Sequence, residues 1–120
     1  MRRHHELQVW QEAIDLVEEA YRLTSAFPRE ELYGLTSQMR RAAVSVPSNI
    51  AEGAARQSER EFLQFLIIAR NSLSELETQV LIAEKLGYVK SMKPIMQRIS
   101  KVFGLLGGLI CALKQRILNP

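Results

Sequence analysis

The side chains of this chain with the most chemistry to offer lie between Gln38 and Arg60. Gln38, Ser45, Ser48, Asn49 and Glu52 are hydrogen-bonding groups spaced mostly three or four apart, interleaved with Arg41 and Arg56. At about 100° per residue they fall on one side of a helix, opposite Met39, Ala43, Val46 and Ile50. A solvated helix face ordinarily uses Lys and Glu. Ser and Asn compete for backbone hydrogen bonds and have poorer helix propensity. Pro47 adds to the anomaly, because it removes one ladder bond and clashes with the Ala43 carbonyl, at a cost of about 3 kcal/mol unless the helix bends. A hydroxyl from Ser45 or Ser48 would help satisfy the freed backbone groups. The chemistry on offer is recognition: either a bent helix presents this stripe to a partner, or the stripe packs under another helix with its Arg and Glu paired.

Catalytic and metal chemistry is poorly supplied. His4 and His5 are adjacent and point to different sides of a helix, and no histidine follows them. The Glu-x-x-His pairs of di-iron bundles are therefore missing. Glu75 and Glu77 are two apart and cannot share an acid–base task on one helix face. Cys111 has no histidine near it in sequence and reads as a small buried or interfacial residue. With no strands there is no phosphate loop following one. No enzyme activity, metal, cofactor or small-molecule substrate is expected.

Composition narrows the classes further. The chain has 120 residues, of which 47% are hydrophobic and 24% charged, a balance that fits one folded domain over residues 1–120 and argues against disorder. A single cysteine allows no internal disulfide and points to a reducing, cytoplasmic setting. The first residues, MRRHHELQVWQEAID, lack the apolar stretch of a secretory signal. The longest apolar run, 102–113, has 12 residues, short of the ~20 of a membrane span, so no membrane partner is expected. Charge is unevenly placed. Up to Glu84, nine arginines face all 13 carboxylates, a net of −4; from Lys85 onward seven basic residues face none, a net of +7. Such asymmetry fits an anionic partner, or a basic last helix that pairs with acidic neighbours.

Four segments with apolar residues three and four apart must position these groups. The first runs Leu7, Trp10, Ile14, Val17, Tyr21, Thr24 and ends at Phe27-Pro28. The second runs Met39, Ala43, Val46, Ile50 and stops at Gly53. The third is Phe62, Leu66, Ala69, Leu73, Leu76, Val80, Ala83, and the fourth Ile95, Ile99, Val102, Leu106, Leu109, Leu113, Ile117. Ser58 and Glu61 have the spacing of a capping box. Gly87 suits a left-handed terminator, Ser91 can cap the fourth helix, and Pro94 falls in its first turn. Short connections force neighbouring helices to run in opposite directions. The expected fold is all-α: an antiparallel up-down-up-down four-helix bundle with the second helix kinked at Pro47.

The fourth segment carries its own anomaly. Gly104, Gly107 and Gly108 interrupt it, at about 1 kcal/mol each relative to alanine. Gly104, Gly108 and Cys111 lie opposite the core seam, and a face stripped of side chains lets another backbone approach closely. With the seam already facing the bundle, the neighbour would be another subunit, so these three residues are the expected oligomer interface.

The run Tyr33-Gly34-Leu35-Thr36-Ser37-Gln38-Met39-Arg40-Arg41-Ala42-Ala43-Val44-Ser45-Val46-Pro47-Ser48-Asn49-Ile50-Ala51-Glu52-Gly53, with Arg56, resembles a known signature. It is that of the bacterial four-helix-bundle family first found encoded by intervening sequences inside 23S ribosomal RNA genes, often labelled S23-type ribosomal proteins. The resemblance extends to Leu7-x-Val9-Trp10-x-x-Ala13, to Glu61-Phe62, and to Ala69-Arg70-Asn71-Ser72-Leu73-x-Glu75-Leu76-Glu77; Asn71 stands where the pattern more often has Gly. It implies a homopentamer of bundles. The label reflects gene position and not a demonstrated ribosomal role.

Two functions follow as expectations. The first is a non-enzymatic oligomeric bundle that binds structured RNA or DNA through Arg40, Arg41, Arg56, Arg60, Lys93 and Lys101, with salt-sensitive affinity. The sequence pattern places no exposed aromatics between these basic residues, as single-strand binders would require, which favours backbone or structured-RNA recognition. The alternative is a protein-binding scaffold with no nucleic-acid role, whose stripe docks a partner and whose charges pair internally.

Overall fold

A row of buried side chains every third or fourth residue gives each helix one face to hide, and four such faces close on one another. The computed structural model describes His4 and residues 7–120; His5, the second of the paired histidines, lies outside them. Among the described residues there are four α-helices and no strand: α1 Gln8–Thr24, α2 Leu35–Ala54, α3 Glu59–Lys85 and α4 Lys93–Leu118, with a 3-10 turn over Arg29–Glu31 between α1 and α2. α1 packs on α2 and α4, and α3 packs on the same two. The resulting body measures 50 × 22 × 21 Å. The 27 residues of α3, at ~1.5 Å per residue, span about 40 Å of the long axis.

The third seam is buried at all seven expected positions. The first is displaced by one residue up to Ala20 and meets its expected position at Thr24. Val9, Ala13, Leu16, Ala20 and Thr24 are buried, whereas Ile14 and Tyr21 are 42% and 43% exposed. Two alanines on the inner face let α1 approach its neighbours closely, which pushes the larger side chains to the rim. In α4, Ile110 takes the buried place expected for Leu109, which is only half-buried.

The helix ends follow from local chemistry. The Glu61 amide donates to Ser58 Oγ at 3.1 Å, and the Ser58 hydroxyl donates to Glu61 Oε1 at 3.1 Å. Gly87 adopts φ +82°, the left-handed conformation that ends α3. Ser91 does not cap α4; the residue before that helix is Met92, and Pro94 sits in the first turn as expected. Gly34, which precedes α2, has no side chain to cap it. Glu31 substitutes: its Oε1 accepts from the Leu35 amide at 3.1 Å, while its Oε2 accepts from the Tyr88 hydroxyl at 2.9 Å. Phe27 packs on the same tyrosine, with ring centroids 5.5 Å apart. One carboxylate thus ties the α1–α2 connection to the α3–α4 connection.

α2 ends at Ala54, one residue past Gly53, but this glycine does more than mark the end. Its role is close approach. A Cβ there would lie 2.7 Å from Phe65 Cβ and 2.9 Å from Phe62 Cδ1, both on α3.

Candidate nucleic-acid interface

The signature segment lies in α2, and its polar residues divide between two environments. Ser45 Oγ is 2.8 Å from Ser72 Oγ of α3, and Asn49 Nδ2 donates to the Ser45 carbonyl at 2.8 Å and to Ser45 Oγ at 2.9 Å. These half-buried groups form a polar seam between α2 and α3. Gln38, Arg41, Ser48 and Glu52 remain exposed. The Ser48 hydroxyl donates to the Val44 carbonyl at 2.7 Å, one residue beyond the carbonyl that Pro47 deprives of its donor. Pro47 itself is buried within α2 and borders a groove with Trp10 and Val17 of α1.

The basic residues line several separate clefts. Lys101 Nζ lies 2.9 Å from Glu12 Oε1 on α1, and Arg98 lines the same cleft as Asp15 and Glu19. Arg116 Nε is 2.9 Å from Glu59 Oε1 on α3. Some of the positive charge of the last third is therefore answered within the subunit. Arg56 pairs with Glu52 at 3.4 Å and lies over the Phe65 ring at 4.9 Å. Arg60, in the first turn of α3, borders an apolar groove with Lys114, and Lys93 is exposed at the start of α4.

Arg40 and Arg41 differ from these. Arg40 Nε donates to Thr24 Oγ1 at 2.9 Å, and the buried Thr24 hydroxyl donates to the Ala20 carbonyl at 2.8 Å. The Arg40 guanidinium lies 4.6 Å from the centre of the Tyr21 ring, a cation–π distance. Neither Arg40 nor Arg41 is in an ion pair among the described residues. Both line an open cleft with Tyr21 and Tyr33. Aromatics and arginines are thus interleaved, contrary to the sequence-based expectation. Tyr33 was missed because it precedes α2 in a turn, outside any periodic pattern, and Tyr21 because it was placed in the core seam.

The other candidate surface lies on α4. An added Cβ at Gly104, Gly107 or Gly108 would meet nothing within 4 Å, and Cys111 is exposed. Contrary to the expectation from its uninterrupted apolar run, α4 is long and apolar enough to cross a membrane by length and composition, with a mean hydropathy of 1.3 over its best window. Six of its residues are buried in the bundle core. Among the described residues no group of three or more His, Cys, Asp or Glu side chains could hold a metal.

No curated protein matches the chain. The sequence pattern of the 23S rRNA-intervening sequence proteins matches residues 5–108, which take in α1, α2, α3 and α4 as far as Gly108. With the match covering most of the chain and four helices in place, the chain belongs to the 23S rRNA-intervening sequence protein family.

Proposed function

We propose that this protein is a non-enzymatic, oligomeric bundle that binds nucleic acid through exposed basic side chains. The observation that carries the reading is the pair Arg40 and Arg41, which line one open cleft whose lining contains no carboxylate. Unpaired guanidinium groups suit phosphate oxygens. A filter-binding titration of structured RNA at two salt concentrations tests it. Retention that falls steeply with salt is expected, because each phosphate contact releases counterions. No salt-sensitive retention would favour the protein-binding scaffold, a reading that the Lys101–Glu12 and Arg116–Glu59 pairs support.

In the proposed architecture, neighbouring helices alternate in direction, in keeping with Arg116 near the end of α4 pairing with Glu59 at the start of α3. The ring of Pro47 bends α2 by denying Ala43 its donor. Copies of the chain meet through Gly104, Gly108 and Cys111, as a pentamer by family resemblance, and they do so in the cytoplasm. Gly108→Leu is expected to lower the mass seen by light scattering while helix content stays native. An unchanged mass would remove the glycine face from the interface.

A further inference from the structure

A more specific site lies in the cleft beside Arg40 and Arg41, and its assignment rests on the nucleic-acid proposal. Tyr21 of α1, Leu32 and Tyr33 of the connection, and Arg40, Arg41 and Ser45 of α2 border a cavity of about 610 Å³, within the ~300–1,000 Å³ range of ligand sites. Tyr33 is 93% exposed. A tyrosine this exposed adds little to the stability of the subunit, yet its ring borders a cleft with two cations. Arg40 is held by Thr24 and Tyr21 through its Nε and its face, and neither of its terminal nitrogens has a hydrogen-bond or ion-pair partner among the described residues. Arg41 is exposed and borders both this cleft and a smaller one shared with Glu75.

These groups match the parts of a nucleotide. Aromatic rings take the face of a base, and guanidinium groups take phosphate oxygens or stack on a second base. A duplex keeps its base faces stacked on one another, so only an unpaired nucleotide can supply both parts. A proline-rich peptide would also suit an aromatic groove, but it brings no anion for two arginines that no carboxylate in the lining offsets. We infer that the Tyr21–Tyr33–Arg40–Arg41 cleft is a subsite for an unpaired nucleotide within single-stranded RNA or DNA, with Tyr33 as its stacking platform and Arg41 as a phosphate contact.

Fluorescence anisotropy with a short labelled oligoadenylate, as RNA and as DNA, beside a duplex of the same sequence, tests this on the full chain. Tyr33→Ala should weaken single-strand binding about 5- to 150-fold, the range of one lost stack, and leave duplex binding unchanged. Tyr33→Phe should bind like the wild type, because the ring and not the hydroxyl does the stacking. Arg41→Ala should make the slope of log affinity against log salt shallower by about one contact. The RNA and DNA arms differ only in sugar and assign which strand the site prefers. If Tyr33→Ala binds the single strand as the wild type does, or Tyr33→Phe is as weak as Tyr33→Ala, the subsite is overturned. Salt-sensitive binding of wild type to the duplex with no binding of the single strand overturns the subsite and leaves the broader reading standing. No salt-sensitive binding to any of the probes overturns both.

Discussion

Gly53 and Gly108 are the same residue in two helices, and their surroundings are opposite. At Gly53 the Phe62 and Phe65 side chains leave no room for a methyl group, so the glycine sets how closely the end of α2 meets α3. At Gly108 a methyl group would meet nothing within 4 Å. Two polar residues of α2 follow the first pattern: Ser45 and Asn49 look like a surface stripe in sequence but engage Ser72 and each other. What looks like one kind of irregularity therefore has two causes. In α2 the weak helix formers are largely consumed by packing inside the subunit; in α4 they leave a bare outer face. A residue that weakens a helix marks a surface for a partner only where its own subunit does not use it.

Three substitutions sharpen that contrast, beginning with the largest effect. Gly53→Ala is expected to destabilise the subunit by about 1–3 kcal/mol, the usual cost of overpacking, read as a lower urea midpoint; unchanged stability would mean that α3 can shift freely. Ser45→Ala should cost about 1 kcal/mol in the same assay, because it leaves Ser72 and Asn49 short of a partner. Gly108→Ala should act in the opposite sense. At concentrations where the chain is monomeric it should stabilise by up to about 1 kcal/mol through helix propensity alone. A loss there would show that the α4 face is covered within the subunit, and the contrast would fail.

The sequence made some of this visible and hid the rest for physical reasons. The seam from Phe62 to Ala83 was legible because large apolar residues occupy most of its inner positions and polar ones most of its outer face. The seam of α1 was not, because its inner face uses Ala13 and Ala20 while Ile14 and Tyr21 sit outside. Periodicity favours bulk, whereas close helix approach favours small side chains. At Gly53 the sequence shows the end of the seam, because it records that a glycine lacks a side chain, but not that Phe62 and Phe65 press against it. The paired fates of Lys101 and Arg116 depend on helices distant in sequence. The Tyr33 cleft joins a turn, the end of α1 and the start of α2, so its components share no spacing rule.

Glu31 and Tyr88 are 57 positions apart, and their bond requires the end of α3 to lie beside the connection between α1 and α2. Like the packing of α1 on α4 and the Lys101–Glu12 pair, it is a contact of high sequence separation, and such contacts repay their loop entropy only when the chain between them is already ordered. The bond also carries an optical signal. The hydrogen bond to Glu31, followed by burial and the negative charge of that carboxylate, raises the Tyr88 phenol above its ordinary pKa of 10.0. Because the folded-state value is the higher one, the stabilisation is complete below the ordinary value and disappears as pH climbs through the raised one. Comparing ultraviolet titrations of the wild type and Tyr88→Phe separates this phenol from Tyr21 and Tyr33; the variant should lose the part of the titration that comes at higher pH while the helices themselves persist.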